Sequence, residues 1–138
     1  MKILCSTVCF GEKTNIYKIG SNTVTEVFDN CNNIIKRIEY DEFNRDVDSK
    51  WFNSAGKLQE HLHKDYYKKE NEEGCIETFK NLYQEYTRKS YTKIENGFKH
   101  VVDDFRSKTG KSYINDFVHD MCGNLIKIIN NGQEIYSK

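Results

Sequence analysis

His61 and His63, separated by Leu62, are the residues whose spacing best suits chemistry in this sequence. On a β-strand, residues two apart project from one face, so the two imidazoles would stand together as metal ligands or as a proton-transfer pair. A site needs a third group, and Glu60, Asp65, Asp103, Asp104 and Asp120 are carboxylates that would supply one. None stands at a spacing that fixes it beside the two histidines, whereas even a catalytic zinc takes three protein ligands. His61, His63, His100 and His119 are therefore read as solvent-facing histidines on polar strands. No catalytic residue, no metal ligand and no cofactor is assigned, and the protein is expected to hold no stoichiometric zinc.

Other reactive patterns are weaker. Thr109-Gly110-Lys111-Ser112 matches the end of a phosphate-binding loop, but Phe105 occupies the position where that loop needs its first glycine. Five cysteines, at 5, 9, 31, 75 and 122, contain no C-x-x-C pair and leave one over, which suits reduced thiols. Cys5 and Cys9 have no further metal ligands nearby. Serine, cysteine and histidine occur without a local nucleophile signature.

Binding chemistry is the stronger signal. Asp41, Glu42, Asp46 and Asp48 form an acidic cluster, with Asp46 and Asp48 expected on one face of a strand. Such charges commonly serve as a solvated strand edge that discourages aggregation. The sharper reading makes them the rim of a docking face for a basic partner. Trp51 is then the candidate anchor, with Phe52, Tyr66 and Tyr67 close by in sequence.

The elements that must position these residues follow from composition and turn chemistry. A chain of 138 residues lies within the size of one domain, and one domain spanning 1–138 is expected. Nine Tyr, eight Phe and one Trp provide a core despite the many charges. Proline is absent and Ala55 is the only alanine, a bias that AT-rich codons produce. Acidic and basic residues balance at 21 each, so the chain lacks the electrostatic footprint of a nucleic-acid or membrane-surface binder. Met1-Lys2-Ile3-Leu4-Cys5 opens like a secretory leader, but Gly11-Glu12-Lys13 interrupts it, and no run of roughly 18 apolar residues occurs. A cytoplasmic location is expected.

Turn signals recur at Asn32-Asn33, Asn44, Gly56, Gly74, Asn96-Gly97, Gly110, Gly123-Asn124 and Asn131-Gly132. Asn and Gly tolerate positive φ, and the spacing of several of these marks suits one short strand and one turn in alternation. The expected fold is mainly β, an antiparallel meander. Its clearest hairpins are Ser90–Ile94 with Phe98–Val102 and Leu125–Ile129 with Gln133–Tyr136. Within it, Phe79, Leu82, Tyr83 and Tyr86 fall at helical spacing and predict one possible helix over 75–90. Leu58, Leu62 and Tyr66 would share a helix face in the same way, so the alternative is an α+β fold.

Four segments share one form: an aromatic residue or His, then Asp or Asn, two variable residues, then Asn or Gly. They are Phe28-Asp-Asn-Cys-Asn-Asn-Ile34, Tyr40-Asp-Glu-Phe-Asn-Arg45, Phe52-Asn-Ser-Ala-Gly-Lys-Leu58 and His119-Asp-Met-Cys-Gly-Asn-Leu125. The first residue anchors a strand end, the Asx side chain bonds the turn backbone, and the last enters positive φ. This form resembles the unit of YD-repeat proteins of the Rhs type. Trp51-Phe52-Asn-Ser-Ala-Gly56-Lys-Leu58, followed by Tyr66 and Gly74, is also similar to the MORN-like repeats of YwqK-type bacterial antitoxins. The resemblance covers roughly 28–132, interrupted between 75 and 118. It implies a β-sheet scaffold from bacterial toxin and immunity systems, with no enzymatic residues to transfer. The expected function is a non-enzymatic immunity protein that binds a cognate protein toxin, such as a nuclease. The alternatives are a small histidine- or metal-dependent hydrolase or nuclease, and a structural fragment of a larger Rhs-like shell.

Overall fold

The computed structural model describes residues 3–138, so Met1 and Lys2, where the leader-like start begins, lie outside the described residues. It is an all-β meander of twelve strands: β1 (Ile3–Cys9), β2 (Glu12–Ile19), β3 (Asn22–Phe28), β4 (Ile34–Tyr40), β5 (Asp46–Phe52), β6 (Leu58–Lys68), β7 (Glu72–Lys80), β8 (Glu85–Glu95), β9 (Phe98–Ser107), β10 (Tyr113–His119), β11 (Leu125–Asn130) and β12 (Gln133–Ser137). The strands lie in sequence order in one open antiparallel sheet, with β1 and β12 at its edges. The chain divides into two compact units, one reaching to Lys64 and taking in Phe79–Leu82, the other comprising Asp65–Thr78 and Tyr83–Lys138. No helix occurs among the described residues, so none crosses a membrane.

The turns obey two rules. Asn96-Gly97 and Asn131-Gly132 close two-residue hairpins with φ of 53° and 77°, and of 50° and 80°. Both residues take positive φ, so the turn twist matches that of the flanking strands. The four repeat segments instead form one five-residue loop, built the same way each time. In the third, Asn53 Oδ1 accepts hydrogen bonds from the Ala55 and Lys57 amides, both at 3.0 Å, while Asn53 N donates to the Lys57 carbonyl. Asp29, Asp41 and Asp120 make the equivalent pairs of side-chain bonds to Cys31 and Asn33, to Phe43 and Arg45, and to Cys122 and Asn124. The residue three beyond each Asx is left-handed: Asn32, Asn44, Gly56 and Gly123. These loops reverse the chain with backbone groups satisfied locally.

Two helical expectations are corrected. Residues 75–90 are not a helix but the end of β7, a connection at 81–84 and the start of β8. Leu82 and Tyr83, two members of the apparent helical stripe, sit in that connection 71% and 86% exposed, so the stripe has no face to bury. Leu58, Leu62 and Tyr66 belong to β6, because a spacing of four is a multiple of two and marks one strand face as well as one helix face. Gly74 is not a turn residue either. It lies inside β7, where a Cβ would stand 2.4 Å from the Ser90 carbonyl oxygen and 2.6 Å from Tyr91 Cβ, so glycine is needed for close strand approach.

Burial is shallow. Tyr17, Val24, Val102 and Val118 are the buried apolar side chains among the described residues, the first two in the first unit and the others in the second. In the first unit the ladder carries Ile16, Thr25, Ile38, Ser49 and Leu62 across β2 to β6 in one row. The neighbouring row on that face is Thr14, Val27, Lys36, Trp51 and Glu60. On the opposite face the rows are Tyr17, Val24, Glu39, Asp48 and His63, and Asn15, Glu26, Arg37, Lys50 and His61. Directly paired residues share a face, so strand alternation puts Asp48, His61 and His63 on one side of the sheet and Trp51 on the other, with apolar and ionisable residues on both.

Candidate functional site

His61 and His63 do share one face of β6, and the carboxylate that joins them comes from the neighbouring strand. Asp48 of β5 pairs directly with His63, while His61 pairs with Lys50. The Nε2 of His61 lies 2.7 Å from Asp48 Oδ1, and the Nδ1 of His63 lies 3.0 Å from the same atom. The two rings meet edge to face with centroids 6.5 Å apart. Asp48 is 15% exposed and the histidines 36% and 43%, so the cluster opens toward solvent on its histidine side. Partial burial pushes the Asp48 carboxyl upward, but hydrogen bonds from His61 and His63, helped by attraction to His61 and Lys50, outweigh it and hold the pKa below the ordinary aspartate value. Asp48 is therefore ionised at neutral pH. Among the described residues these three are the one group of His, Cys, Asp or Glu donors close enough to share an ion, all within 4.8 Å of one another.

The other carboxylates considered beside the histidines go elsewhere. Glu60 pairs with Trp51, Asp103 lies 3.2 Å from Arg88 Nε, Asp104 binds Arg106, and Asp120 caps its loop. Asp65 follows along β6. His100 Nδ1 meets Asp116 Oδ2 at 2.8 Å, and His119 ends β10.

The acidic cluster does not hold together as one patch. Asp41 is committed to its loop and to Arg45, whose Nε lies 2.8 Å from Asp41 Oδ2. Glu42 stands exposed in the same loop. Asp46 and Asp48, expected on one face, are separated by a β-bulge: Glu39 pairs with Asp48, but the next residue, Tyr40, pairs with Asp46. The extra residue turns Asp46 to the face of Tyr40 and Trp51, where it meets Lys64 at 3.1 Å. Asp48 stays on the opposite face with the histidines. Trp51 is half-buried between Lys36 and Glu60, so Trp51 and Asp48 cannot belong to one contact surface.

A second cluster, in the other unit, escaped sequence reasoning. Arg88, Phe105 and Tyr113 form one cross-strand row over β8, β9 and β10. The Arg88 guanidinium stands 5.0 Å over the Phe105 ring and its Nη2 donates to Tyr113 Oη at 3.1 Å, while Phe105 stacks on Tyr113 at 5.1 Å. The signal was present only as register, which single residues do not reveal. The chain matches no family model, and no curated protein is similar enough to it to carry an inference.

Proposed function

We propose that this chain is a non-enzymatic protein-binding module, and within that class an immunity protein that neutralises a cognate toxin in the cytoplasm by covering it. The observation that carries the proposal is the face holding Trp51. There the row Ile16, Thr25, Ile38, Ser49 and Leu62, aliphatic side chains alternating with hydroxyls, runs beside Trp51, with Lys36 and Glu60 flanking the indole and the Asp46–Lys64 pair beyond. An apolar centre with an aromatic anchor and a charged rim is the composition of a protein interface. Asp46 on this face, paired with Lys64, and Glu42, exposed in the loop that leads into β5, are the carboxylates left to meet a basic cleft of the kind a nuclease toxin presents. The resemblance of the four Asx loops to YD repeats, and of the Trp51–Leu58 segment to antitoxin repeats, favours toxin neutralisation over other binding roles.

The test is Trp51→Ala, assayed for binding to the product of the neighbouring reading frame. An interface anchor loses about 2 kcal/mol or more of binding with folding largely kept, whereas a core tryptophan loses about 3 to 5 kcal/mol of stability. The second outcome would remove Trp51 from the interface. A hydrolase reading is favoured by one observation, the convergence of His61 and His63 on Asp48.

A further inference from the structure

We infer that Asp48, His61 and His63 form a binding site for one divalent transition-metal ion of the zinc type. The inference is independent of the protein-binding reading, since these residues lie on the face opposite Trp51. Its ground is convergence: two imidazole nitrogens from one strand aim at a single carboxylate oxygen of the next, at 2.7 and 3.0 Å. Three donors around a tetrahedral zinc stand about 3.3 Å from one another, given zinc–ligand distances near 2.0–2.1 Å. The two short edges thus need to open by about 0.6 and about 0.3 Å, while the edge between the two imidazole nitrogens, within 4.8 Å, settles to the same length through rotation of the partly exposed rings. The expectation of no bound zinc rested on the lack of a third ligand, and cross-strand pairing supplies it.

Donor chemistry selects the ion. Two imidazoles and one carboxylate suit zinc and its transition-metal neighbours, whereas calcium and magnesium require sets of oxygen donors. Three protein ligands leave a fourth tetrahedral position for water. Each imidazole binds through a lone pair, so the protons now shared with Asp48 move to the other ring nitrogen or to solvent on binding. Lys50 on the same face opposes the ion. Its flexible stem allows the ammonium to swing into water.

Equilibrium dialysis of the full, tag-free chain against Zn²⁺ tests the site, with thermal melting and the absorption spectrum of a Co²⁺ complex as independent readouts. One zinc per chain is expected, undisplaced by excess Mg²⁺, with a raised melting temperature on saturation. Asp48→Asn, His61→Ala and His63→Ala should each weaken zinc binding by at least about tenfold and abolish the tetrahedral Co²⁺ spectrum. His100→Ala, which removes a histidine already paired with a carboxylate elsewhere, should leave both unchanged. Substoichiometric zinc, or zinc affinity that survives the three substitutions while their circular dichroism remains native, would overturn the site.

Discussion

Asp120 shows how one side chain determines a reversal of the chain. Its Oδ1 accepts from the Cys122 and Asn124 amides at 3.0 and 2.9 Å, and its Oδ2 takes a bond from the Asn124 side chain. The backbone and side-chain bonds from Asn124 hold its pKa below the ordinary aspartate value. A depressed carboxyl contributes stability that is present above its unfolded pKa and lost as pH falls through the lower folded one. Asn53, at the corresponding place in the third loop, makes the same Oδ1 bonds without a titratable proton. Asp120→Asn should therefore keep the loop, melt below the parent at neutral pH because charge-assisted bonds are stronger, and show a deficit that shrinks as pH falls from about 3.9 through the lower folded pKa. Melting temperatures at pH 7 and pH 3 measure it, and a deficit independent of pH would contradict the assignment. These loops were legible because the strand-end anchor, the Asx and the left-handed residue three beyond it fall within one short stretch of sequence. Asp48 was not legible as the partner of His61 and His63, since thirteen and fifteen residues separate them and only strand register joins them.

Register also governs the strands themselves. The one-residue shift between Glu39 and Tyr40 sends Asp46 and Asp48 to opposite faces, a result that simple alternation along β5 does not reveal. Gly74 was misread for a related reason: a glycine among acidic residues looks like a turn until the neighbouring strand is in place. Because a Cβ there would press on the backbone at Ser90 and on Tyr91, Gly74→Ala should destabilise the β7–β8 pairing by about 1–3 kcal/mol. Gly97→Ala, at a positive φ with open space around it, serves as a comparison that strains a turn without a clash. Denaturant unfolding of both variants, with amide exchange followed across β7 and β8, separates the mechanisms. Unchanged exchange in β7 and β8 for Gly74→Ala would refute the close-approach role. The helical stripe at 79–86 failed likewise, because periodicity counts positions and cannot know that Leu82 and Tyr83 lie outside any element.

At the scale of the molecule, the all-β meander was legible from recurrent Asn and Gly turns, while its twelve-strand extent was not, because Phe10-Gly11 and the long strands β6 to β9 carry mixed signals. The resulting sheet buries few apolar side chains and keeps its ionisable residues in cross-strand rows. Such a scaffold suits broad contact with another protein, in the proposal advanced above, and the net charge of zero leaves specificity to local patches. Co-expression of the chain with the product of its neighbouring reading frame, followed by size-exclusion chromatography with light scattering and by a growth-rescue assay, tests that proposal most directly. The account predicts a stoichiometric complex and restored growth, with both diminished by Trp51→Ala; separate elution of the two proteins with toxicity unrelieved would contradict it.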